Sequence, residues 1–258
     1  KAWRVSARLF SFQFIHFLLR AGFHQLTVIF FVSDAHIGAP IPGYEHREEY
    51  LTRFFRSIAQ EASHLFILGD LFDFWIEYRY AIRPDYFQIL CELRRLVEGG
   101  THVHYLAGNH DFALGPFLEN TVGMSIHTDR HEAEYQGKRV HLFHGDGLIK
   151  ADVGYRLLRT ILRNRFNQRL YRLLHPNIGV PLGSAVSGSS RKLLALRVNE
   201  QRKAEYRERA QEIVKAGPDY VLFGHTHQPE IVFWGEKAYC NTGEWIRRYT
   251  YAEWIAGF

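Results

Sequence analysis

The chain first takes on a regular pattern at Leu26-Thr-Val-Ile-Phe-Phe-Val-Ser-Asp-Ala-His36, where an apolar run ends in polar residues. The run is rich in β-branched and aromatic side chains, which predicts a strand buried on both faces. Ligand sites of α/β proteins lie at the carboxyl ends of such strands. Asp34 and His36 are therefore candidates for an active site at one edge of a sheet.

Four further apolar runs end in the same kind of polar cluster. They cover residues 64–68, 103–106, 138–143 and 220–223, and they lead into Gly69-Asp70, Gly108-Asn-His-Asp111, His144-Gly-Asp146 and Gly224-His-Thr-His227. Helix-like patterns at 45–61 and 85–98 separate the early runs. The stretches 125–135 with 138–143, and 230–234 with 237–241, predict hairpins. This order predicts an α/β fold, an α+β sandwich of two mixed β-sheets flanked by helices.

The length of 258 residues suits one large domain that carries an insertion. We predict an N-terminal extension at 1–25, a main domain at 26–258, and a helical cap insertion at about 151–217. Residues 9–19 are too short and too polar to span a bilayer. Two interpretations of this extension remain open, an interfacial amphipathic helix and an additional helix or start-site artefact without a membrane role.

Charge and cysteine content narrow the class of partner and the compartment. The net charge of +5 suits an anionic partner such as a phosphate ester, a nucleic acid or an acidic membrane surface. Cys91 and Cys240 lie far apart in sequence and match no metal-binding spacing. We therefore expect no disulfide framework and a reducing, cytoplasmic setting.

The polar clusters contain the residue types that bind metal ions. Carboxylate, imidazole and amide oxygen are ligands for Mn, Fe or Zn, and no thiolate is present to favour a softer structural site. The pairs Asp34 with His36 and His225 with His227 are each two residues apart, so each pair can converge on one ion. Asp70 has two carboxylate oxygens and can bridge ions about 3.5–4 Å apart.

The series Asp-x-His, Gly-Asp, Gly-Asn-His-Asp, His-Gly-Asp and Gly-His-x-His, from about Val28 to Asn241, resembles the calcineurin-like metallophosphoesterase superfamily. The resemblance implies the metallophosphoesterase fold and two divalent metal ions, manganese in many bacterial members and iron or zinc in others. It assigns one ion to Asp34, His36, Asp70 and His227. It assigns the other ion to Asp70, Asn109, His144 and His225.

The resemblance also implies a reaction in which the ions activate a water for attack on phosphorus. His110 is expected to stabilise the transition state or protonate the leaving oxygen, with Asp111 orienting its ring. A helix N-cap is the alternative role for Asp111. Asp146 is expected to orient a neighbouring ligand or backbone group.

A narrower resemblance links the chain to the UDP-2,3-diacylglucosamine pyrophosphatase family of lipid A biosynthesis. It rests on Gly69-Asp-Leu-Phe-Asp-Phe-Trp75, Gly108-Asn-His-Asp-Phe-Ala-Leu-Gly115 and His144-Gly-Asp-Gly-Leu148. Family members cleave the diphosphate of UDP-2,3-diacylglucosamine to UMP and 2,3-diacylglucosamine 1-phosphate (lipid X). One branch carries Arg where His110 stands here, and a related branch carries His.

The predicted cap insertion alternates arginine with large apolar residues between 155 and 174. Such a helix can bury acyl chains while its guanidinium groups face anionic head groups. We expect a UDP-linked lipid substrate, no nucleic acid partner, and peripheral binding to the cytoplasmic face of the inner membrane. An ordinary amphipathic cap helix is the alternative. Candidate substrate contacts are Ser187, Ser190, Arg191, Lys192 and Asn199.

Two other functions remain open from the sequence. One is a soluble metallophosphodiesterase or nucleotide hydrolase. The other is a binding module for nucleic acid or membranes with a vestigial metal site, against which the complete set of predicted ligands argues.

Overall fold

A computed structural model describes residues 2–7, 27–135, 137–149, 160–197 and 200–256 of the chain. Six strands form the first sheet: β1 Ala2–Ala7, β2 Thr27–Val32, β3 Ala62–Ile67, β5 His102–Leu106, β7 Ser125–His127 and β13 Thr250–Ala256. Their order across the sheet is β1-β13-β2-β3-β5-β7. The four strands from β2 to β7 are parallel, whereas β13 is antiparallel to β2 and to β1.

Five strands form the second sheet: β8 Arg130–Tyr135, β9 Lys138–Phe143, β10 Tyr220–Phe223, β11 Glu230–Trp234 and β12 Lys237–Asn241. Their order is β11-β12-β10-β9-β8, with β9, β10 and β12 parallel and the two edge strands antiparallel. A small third sheet pairs β4 (Trp75–Ile76) with β6 (Asp111–Ala113).

The labelled helices are α1 Arg47–Ile58, α2 Phe87–Glu98, α3 Arg165–Tyr171, α4 Pro176–Arg197 and α5 Glu200–Lys215. Helices α1 and α2 pack on the outer face of the first sheet, and α5 packs on the outer face of the second. The two sheets face each other across a shared apolar core. The predicted class, two mixed sheets flanked by helices, is confirmed.

Alternation along β2 explains the layering. Phe30 and Val32 join the core beneath α1 and α2, while Ile29 and Phe31 join the core between the sheets. All four are at most 1% exposed, so the strand is buried on both faces as its composition predicts. Burying such side chains contributes roughly 1.5–3 kcal/mol each, which fixes the strand and the polar residues at its end.

The predicted hairpin at 125–143 is partly wrong. Ser125–His127 pairs with β5 in the first sheet, and only Arg130–Tyr135 pairs with β9 in the second. The chain therefore crosses from one sheet to the other at residues 128–129. A continuous polar-apolar alternation does not reveal which partner each segment takes, because pairing depends on the register of distant strands.

The glycine, proline and serine residues of the stretch 176–190 predict a break between two helices of the insertion, and this prediction is wrong. The stretch begins α4, which continues to Arg197 and contains Pro181. Pro176 occupies the first helical position, where its missing N–H is tolerated. Among the described residues, no helix is both long and apolar enough to cross a bilayer. Strands β1 and β13 were not predicted, and residues 9–19 lie outside the described ranges.

Candidate metal centre

The seven predicted ligands lie at the carboxyl ends of five strands from both sheets. Asp34 and His36 follow β2, Asp70 follows β3, and Asn109 follows β5. In the second sheet, His144 follows β9, and His225 and His227 follow β10. The structure brings all seven together where the ends of the two sheets meet.

One half of the site contains Asp34, His36 and His227. His227 Nε2 lies 3.2 Å from Asp34 Oδ1 and 3.4 Å from His36 Nε2. His36 Nε2 lies 4.0 Å from Asp34 Oδ1 and 4.0 Å from Asp70 Oδ2. Ligand atoms that share one ion through bonds of about 2.0–2.2 Å lie roughly 3–4 Å apart. These side chains can therefore share one ion.

The other half contains Asn109, His144 and His225. His144 Nε2 lies 3.1 Å from Asn109 Oδ1, 3.2 Å from His225 Nδ1 and 3.3 Å from Asp70 Oδ2. His144 Nδ1 lies 2.7 Å from the Leu68 carbonyl oxygen, which can only accept, so Nδ1 carries the proton and Nε2 is available as a ligand. Asp70 Oδ2 thus faces imidazoles of both halves, as a bridging carboxylate requires.

Five of the ligand residues have a left-handed backbone. Among the described residues, the non-glycine residues with positive φ are Asp34 (54°), His36 (46°), Asp70 (55°), His225 (64°), His227 (57°) and Tyr249 (51°). Such conformations cost about 1–3 kcal/mol each and persist only where the surrounding structure enforces them. Asp and His are among the residues that tolerate them best. Their concentration on the predicted ligands indicates a functional constraint.

Two glycines allow the ligand loops to approach each other closely. A Cβ at Gly108 would overlap Asp70 Oδ1 and lie 2.8 Å from the Asp70 backbone nitrogen. A Cβ at Gly224 would overlap Asp34 Oδ2 and the side chain of Ser33. Any larger residue would displace the carboxylates, so these positions require glycine for steric reasons.

The donor set fits a pair of divalent ions. Asp34 Oδ1 is buried and accepts no hydrogen bond within the described part of the chain. A buried carboxylate oxygen in this state is destabilising unless a cation approaches it. Oxygen and imidazole ligands together suit Mn²⁺, Fe²⁺ or Zn²⁺.

The electrostatics of the site centre on Asp70. Burial opposes charge on this carboxyl, yet His144 and His110 hold its pKa well below the ordinary range. Burial also opposes the charged form of His144, but Asp70 raises the His144 pKa to about 10. Burial and the neighbouring His144 lower the pKa of His225 to about 4. The site therefore holds negative charge that a cation can offset in place of a proton.

His110 lies over the same carboxylate. Its Nδ1 is 2.8 Å from the Asp73 carbonyl oxygen and 2.5 Å from Ser187 Oγ. The carbonyl can only accept, so Nδ1 carries a proton. Nε2 lies 3.7 Å from Asp70 Oδ2, on the side of the predicted ions. This nitrogen is the one that can exchange a proton with a substrate oxygen.

Asp111 has different partners from those expected. Its Oδ2 accepts hydrogen bonds from the backbone nitrogens of Asp70 (3.0 Å) and Gly108 (2.8 Å), and its Oδ1 accepts from Tyr105 Oη (2.5 Å). Burial and the nearby Asp70 raise its pKa to about 6. The contacts to the His110 ring come from Asp73 and Ser187 instead. Asp111 begins β6, so the helix N-cap alternative is wrong.

Of the five candidate substrate contacts, the structure describes the side chain of one, Ser187. Ser187 is buried, and its hydroxyl donates to Asp73, 2.6 Å from both the carbonyl oxygen and Oδ1. Ser190, Arg191 and Lys192 lie on α4 beyond Ser189, where the described side chains of that helix end. Asn199 lies outside the described residues.

Helix α4 presents small residues inward and large apolar residues outward. Gly179, Gly183 and Ser187 recur every four residues on the buried face. A Cβ at Gly183 would overlap the ring of Phe74, so the helix lies directly on that ring. Within its described part, up to Ser189, the exposed large apolar residues of α4 are Ile178, Leu182 and Val186.

An apolar cleft of about 460 Å³ separates α4 from the segment 74–86. Its lining includes Trp75, Tyr78, Val180 and Pro181. The segment begins directly after Asp73, whose carbonyl oxygen contacts His110. The cleft and the contact to His110 are therefore formed by consecutive residues, Phe74 and Asp73.

Arg163 is a site residue that the sequence analysis did not single out. It donates to the carbonyl oxygens of Ala107 (3.2 Å) and Gly108 (3.3 Å) and lies 3.5 Å from Asp146 Oδ2. It thereby joins the loop that holds Asn109 to the loop after β9. One arginine among many in a basic segment gives no local signal of this role.

Comparisons with known proteins show which chains are similar to this one. The family model for calcineurin-like phosphoesterases matches residues 27–229. A UDP-2,3-diacylglucosamine hydrolase of Porphyromonas gingivalis is 30% identical, over 88% of this chain and 93% of that protein. A hydrolase of the same name from Pseudomonas entomophila is 34% identical, over 86% and 92%. Among solved structures, vacuolar protein sorting 29 of Cryptosporidium parvum is 12% identical with a TM-score of 0.42, over 86% and 76%.

Proposed function

The chain belongs to the calcineurin-like phosphoesterase family of metal-dependent hydrolases, and we propose that its substrate is UDP-2,3-diacylglucosamine. The products are UMP and 2,3-diacylglucosamine 1-phosphate. The hydrolases of this name in Porphyromonas gingivalis and Pseudomonas entomophila, each matched over most of its length, support the assignment. Manganese is the metal that we assign to both sites, because oxygen and imidazole ligands without thiolate suit it.

The side chains of the metal centre have distinct roles in this proposal. Bound ions supply positive charge against the diphosphate and activate the attacking water. Asp70 bridges the two halves, and the other six ligands complete them. His110, with Nδ1–H held by the Asp73 carbonyl oxygen, directs Nε2 at the leaving oxygen and exchanges a proton there. Asp111 fixes the loop that carries Asn109 and His110.

The observation that carries the lipid assignment is the apolar cleft beneath α4. Its volume of about 460 Å³ falls within the range of small-molecule sites. Its lining residue Phe74 directly follows Asp73 in the chain, and in this proposal an acyl chain occupies the cleft while the diphosphate lies at the metals. The apolar part of the lining, from Phe74, Trp75 and Ile76 on one side and from Val180 and Pro181 on the other, suits a chain without polar groups.

Peripheral contact with the cytoplasmic face of the inner membrane is part of the same proposal. Phe166 and Leu173 are 71% and 80% exposed, and Ile178 is 61% exposed. Phe166 lies on α3, Leu173 in the turn after it and Ile178 on α4. Exposed apolar side chains of this size, with Arg165 and Arg169 on α3, suit the boundary between acyl chains and anionic head groups. The enzyme would take its lipid from that surface.

A substrate panel with Mn²⁺ tests the proposal. It compares UDP-2,3-diacylglucosamine in mixed micelles with bis-p-nitrophenyl phosphate, using wild type, His110→Ala and Leu182→Glu. We expect UMP release from the lipid, a loss of roughly 10²–10⁴-fold in His110→Ala, and normal diester turnover in Leu182→Glu with weaker turnover of the lipid. Ala204→Glu, an exposed apolar-to-acidic change on α5, is the matched control and should leave both activities unchanged.

Turnover of the diester without any UMP release from the lipid would contradict the substrate assignment and favour a soluble phosphodiesterase. Flotation with anionic vesicles tests the membrane contact separately. Wild type and Ala204→Glu should float to the same extent, and Leu182→Glu should float less. Equal flotation of all three proteins would contradict the role of the α4 surface.

A further inference from the structure

Five histidines cluster on the first sheet and the facing edge of the second, and none of them is among the seven predicted ligands. His102 and His104 lie on β5, His64 on β3, His127 at the end of β7, and His131 on β8. The rings of His127 and His131 have centroids 4.1 Å apart, and those of His104 and His127 are 5.5 Å apart. The cluster joins the two sheets where the chain crosses between them.

Three of these side chains have the spacing of a metal site. One ring nitrogen from each of His104, His127 and His131 lies within 4.8 Å of the other two. His104 Nδ1 and His127 Nε2 are 3.3 Å apart. Two nitrogens on one tetrahedral Zn²⁺, with bonds of about 2.0–2.1 Å, are separated by roughly 3.3 Å. Small rotations of the His131 ring would complete a three-imidazole site.

A fourth histidine, His64, can orient one of the three predicted ligands through a hydrogen bond. His104 Nε2 lies 3.3 Å from His64 Nδ1. A metal-bound histidine usually donates its second ring N–H to a neighbouring acceptor, which fixes the tautomer and the ring orientation. With His104 Nδ1 on the ion, His104 Nε2–H donates to His64. Phe66 stacks on His104 with centroids 4.4 Å apart and holds the ring in place.

Two of the three imidazoles, those of His104 and His127, have pKa values that keep them in the neutral form that binds metal. Burial and then the neighbouring histidines lower the pKa of His104 to about 3, and burial and His131 lower that of His127 to about 4. Both rings are neutral near pH 7, the form that binds metal. All three are half-buried rather than enclosed, so an ion can reach them.

We propose that His104, His127 and His131 bind one Zn²⁺ ion, separate from the dinuclear centre, that links β5 and β7 of the first sheet to β8 of the second. A site of imidazole nitrogens alone suits Zn²⁺ or the neighbouring ions Ni²⁺ and Cu²⁺ better than Mn²⁺. The fourth position is open to water or to a ligand from solvent. The ion stabilises the fold, because it holds the two sheets together where the chain crosses between them at residues 128–129.

Zinc content of the full chain tests this site without relying on hydrolysis. Wild type, His127→Gln, His131→Gln and His102→Gln are loaded with Zn²⁺, passed through gel filtration and measured by elemental analysis. His102 is exposed, lies on the same strand as His104 and is not one of the three ligands, so it is the matched control. We expect one zinc fewer per chain in the His127 and His131 variants only. Equal zinc content in all four proteins would overturn the proposal.

A second measurement applies even where a histidine variant fails to fold. In Asp34→Ala/Asp70→Asn/His144→Ala, each half of the dinuclear centre loses two of its four predicted ligands, so remaining Co²⁺ absorption reports the histidine site. We expect about one Co²⁺ per chain with the visible bands of a four-coordinate nitrogen site. Absence of these bands in the folded triple variant would show that the three histidines are only a hydrogen-bonded chain.

Discussion

Single residues in the metal centre combine backbone conformation with ligand chemistry. Asp34, His36 and Asp70 hold left-handed φ values that most side chains disfavour. Gly108 and Gly224 bring the facing loops so close that a single methyl group would meet a carboxylate. The site is therefore defined as much by these backbone positions as by its donor atoms.

Gly108→Ala tests the steric part of this argument. The added Cβ overlaps Asp70 Oδ1 and lies 2.8 Å from the Asp70 backbone nitrogen, so the Asp70 carboxylate must move. A displacement near 1 Å at reacting groups lowers activity by about 100-fold. We expect a loss of this size in kcat with Mn²⁺, together with less metal per chain by elemental analysis.

Gly235→Ala is the control for Gly108→Ala. Gly235 has a φ of 64° and no atom within 4 Å of an added Cβ. This variant should lose about 1–2 kcal/mol of stability from backbone strain and keep full activity. Wild-type activity and metal content in Gly108→Ala would contradict the steric role of that position.

Helix α4 contacts the predicted catalytic histidine, His110, through one buried side chain. Its buried Ser187 donates to Asp73 and lies 2.5 Å from His110 Nδ1, so one helix position contacts both partners. The outward face of the same helix carries Leu182 and other large apolar residues. The helix that we propose to contact lipid on its outer face therefore contacts the His110 ring through Ser187 on its inner face.

Ser187→Ala tests this link. Loss of the hydroxyl removes a hydrogen bond worth about 1 kcal/mol in orienting the His110 ring, which corresponds to about a fivefold to tenfold lower kcat. We expect the pH profile of kcat to shift while KM for bis-p-nitrophenyl phosphate stays constant. Ser189→Ala, an exposed change two residues further on α4, is the matched control. An unchanged pH profile in Ser187→Ala would contradict a positioning role.

Local pattern predicted the strands and the ligands but not this helix. Strands β2, β3, β5 and β10 were predictable because apolar runs that end in polar residues are local signals. Gly179 and Gly183 disfavour a helix locally, and α4 exists because these small residues pack on aromatic rings about 100 residues earlier in the chain. The contact of Ser187 with Asp73 spans 114 residues and leaves no local pattern either.

The whole molecule depends on two sheets held face to face. The metal centre joins their carboxyl ends, the apolar core joins their inner faces, and the histidine cluster joins them at the crossing from β7 to β8. The sequence predicted the ligand cluster and, as a sandwich, the packing of the two sheets, but it did not predict the histidine cluster. Each histidine alone resembles an ordinary strand residue, and the cluster arises only from strand order.

The histidine cluster predicts acid sensitivity of the metal-free protein. Burial and neighbouring histidines lower the pKa of His104 to about 3 and that of His127 to about 4, from the ordinary 6.5. The unfolded chain therefore binds protons at higher pH than the folded protein. The contribution of the neutral histidines to the free energy of unfolding is fully present above about pH 6.5. It is lost as the pH falls toward the pKa values of the folded protein.

Urea unfolding at about pH 7.5 and about pH 5, with chelator present, measures the effect. We expect lower stability at the acidic pH, with His127 accounting for about 1 kcal/mol once its partial exposure is allowed for. His127→Gln should reduce the difference between the two pH values, whereas His102→Gln should retain it. If the loss of stability between the two pH values is the same in wild type and in His127→Gln, then His127 is not a source of the acid sensitivity.

The left-handed ligand residues also bear on how the protein can evolve. Alanine at Asp34 would remove a ligand and keep the strained φ of 54°, whereas glycine would remove the ligand and relieve the strain. Selection for hydrolysis thus retains strained residues such as Asp34, whereas selection for stability alone would favour glycine there. A descendant that no longer needs the reaction gains stability by accepting glycine at these positions, and we expect it to drift that way.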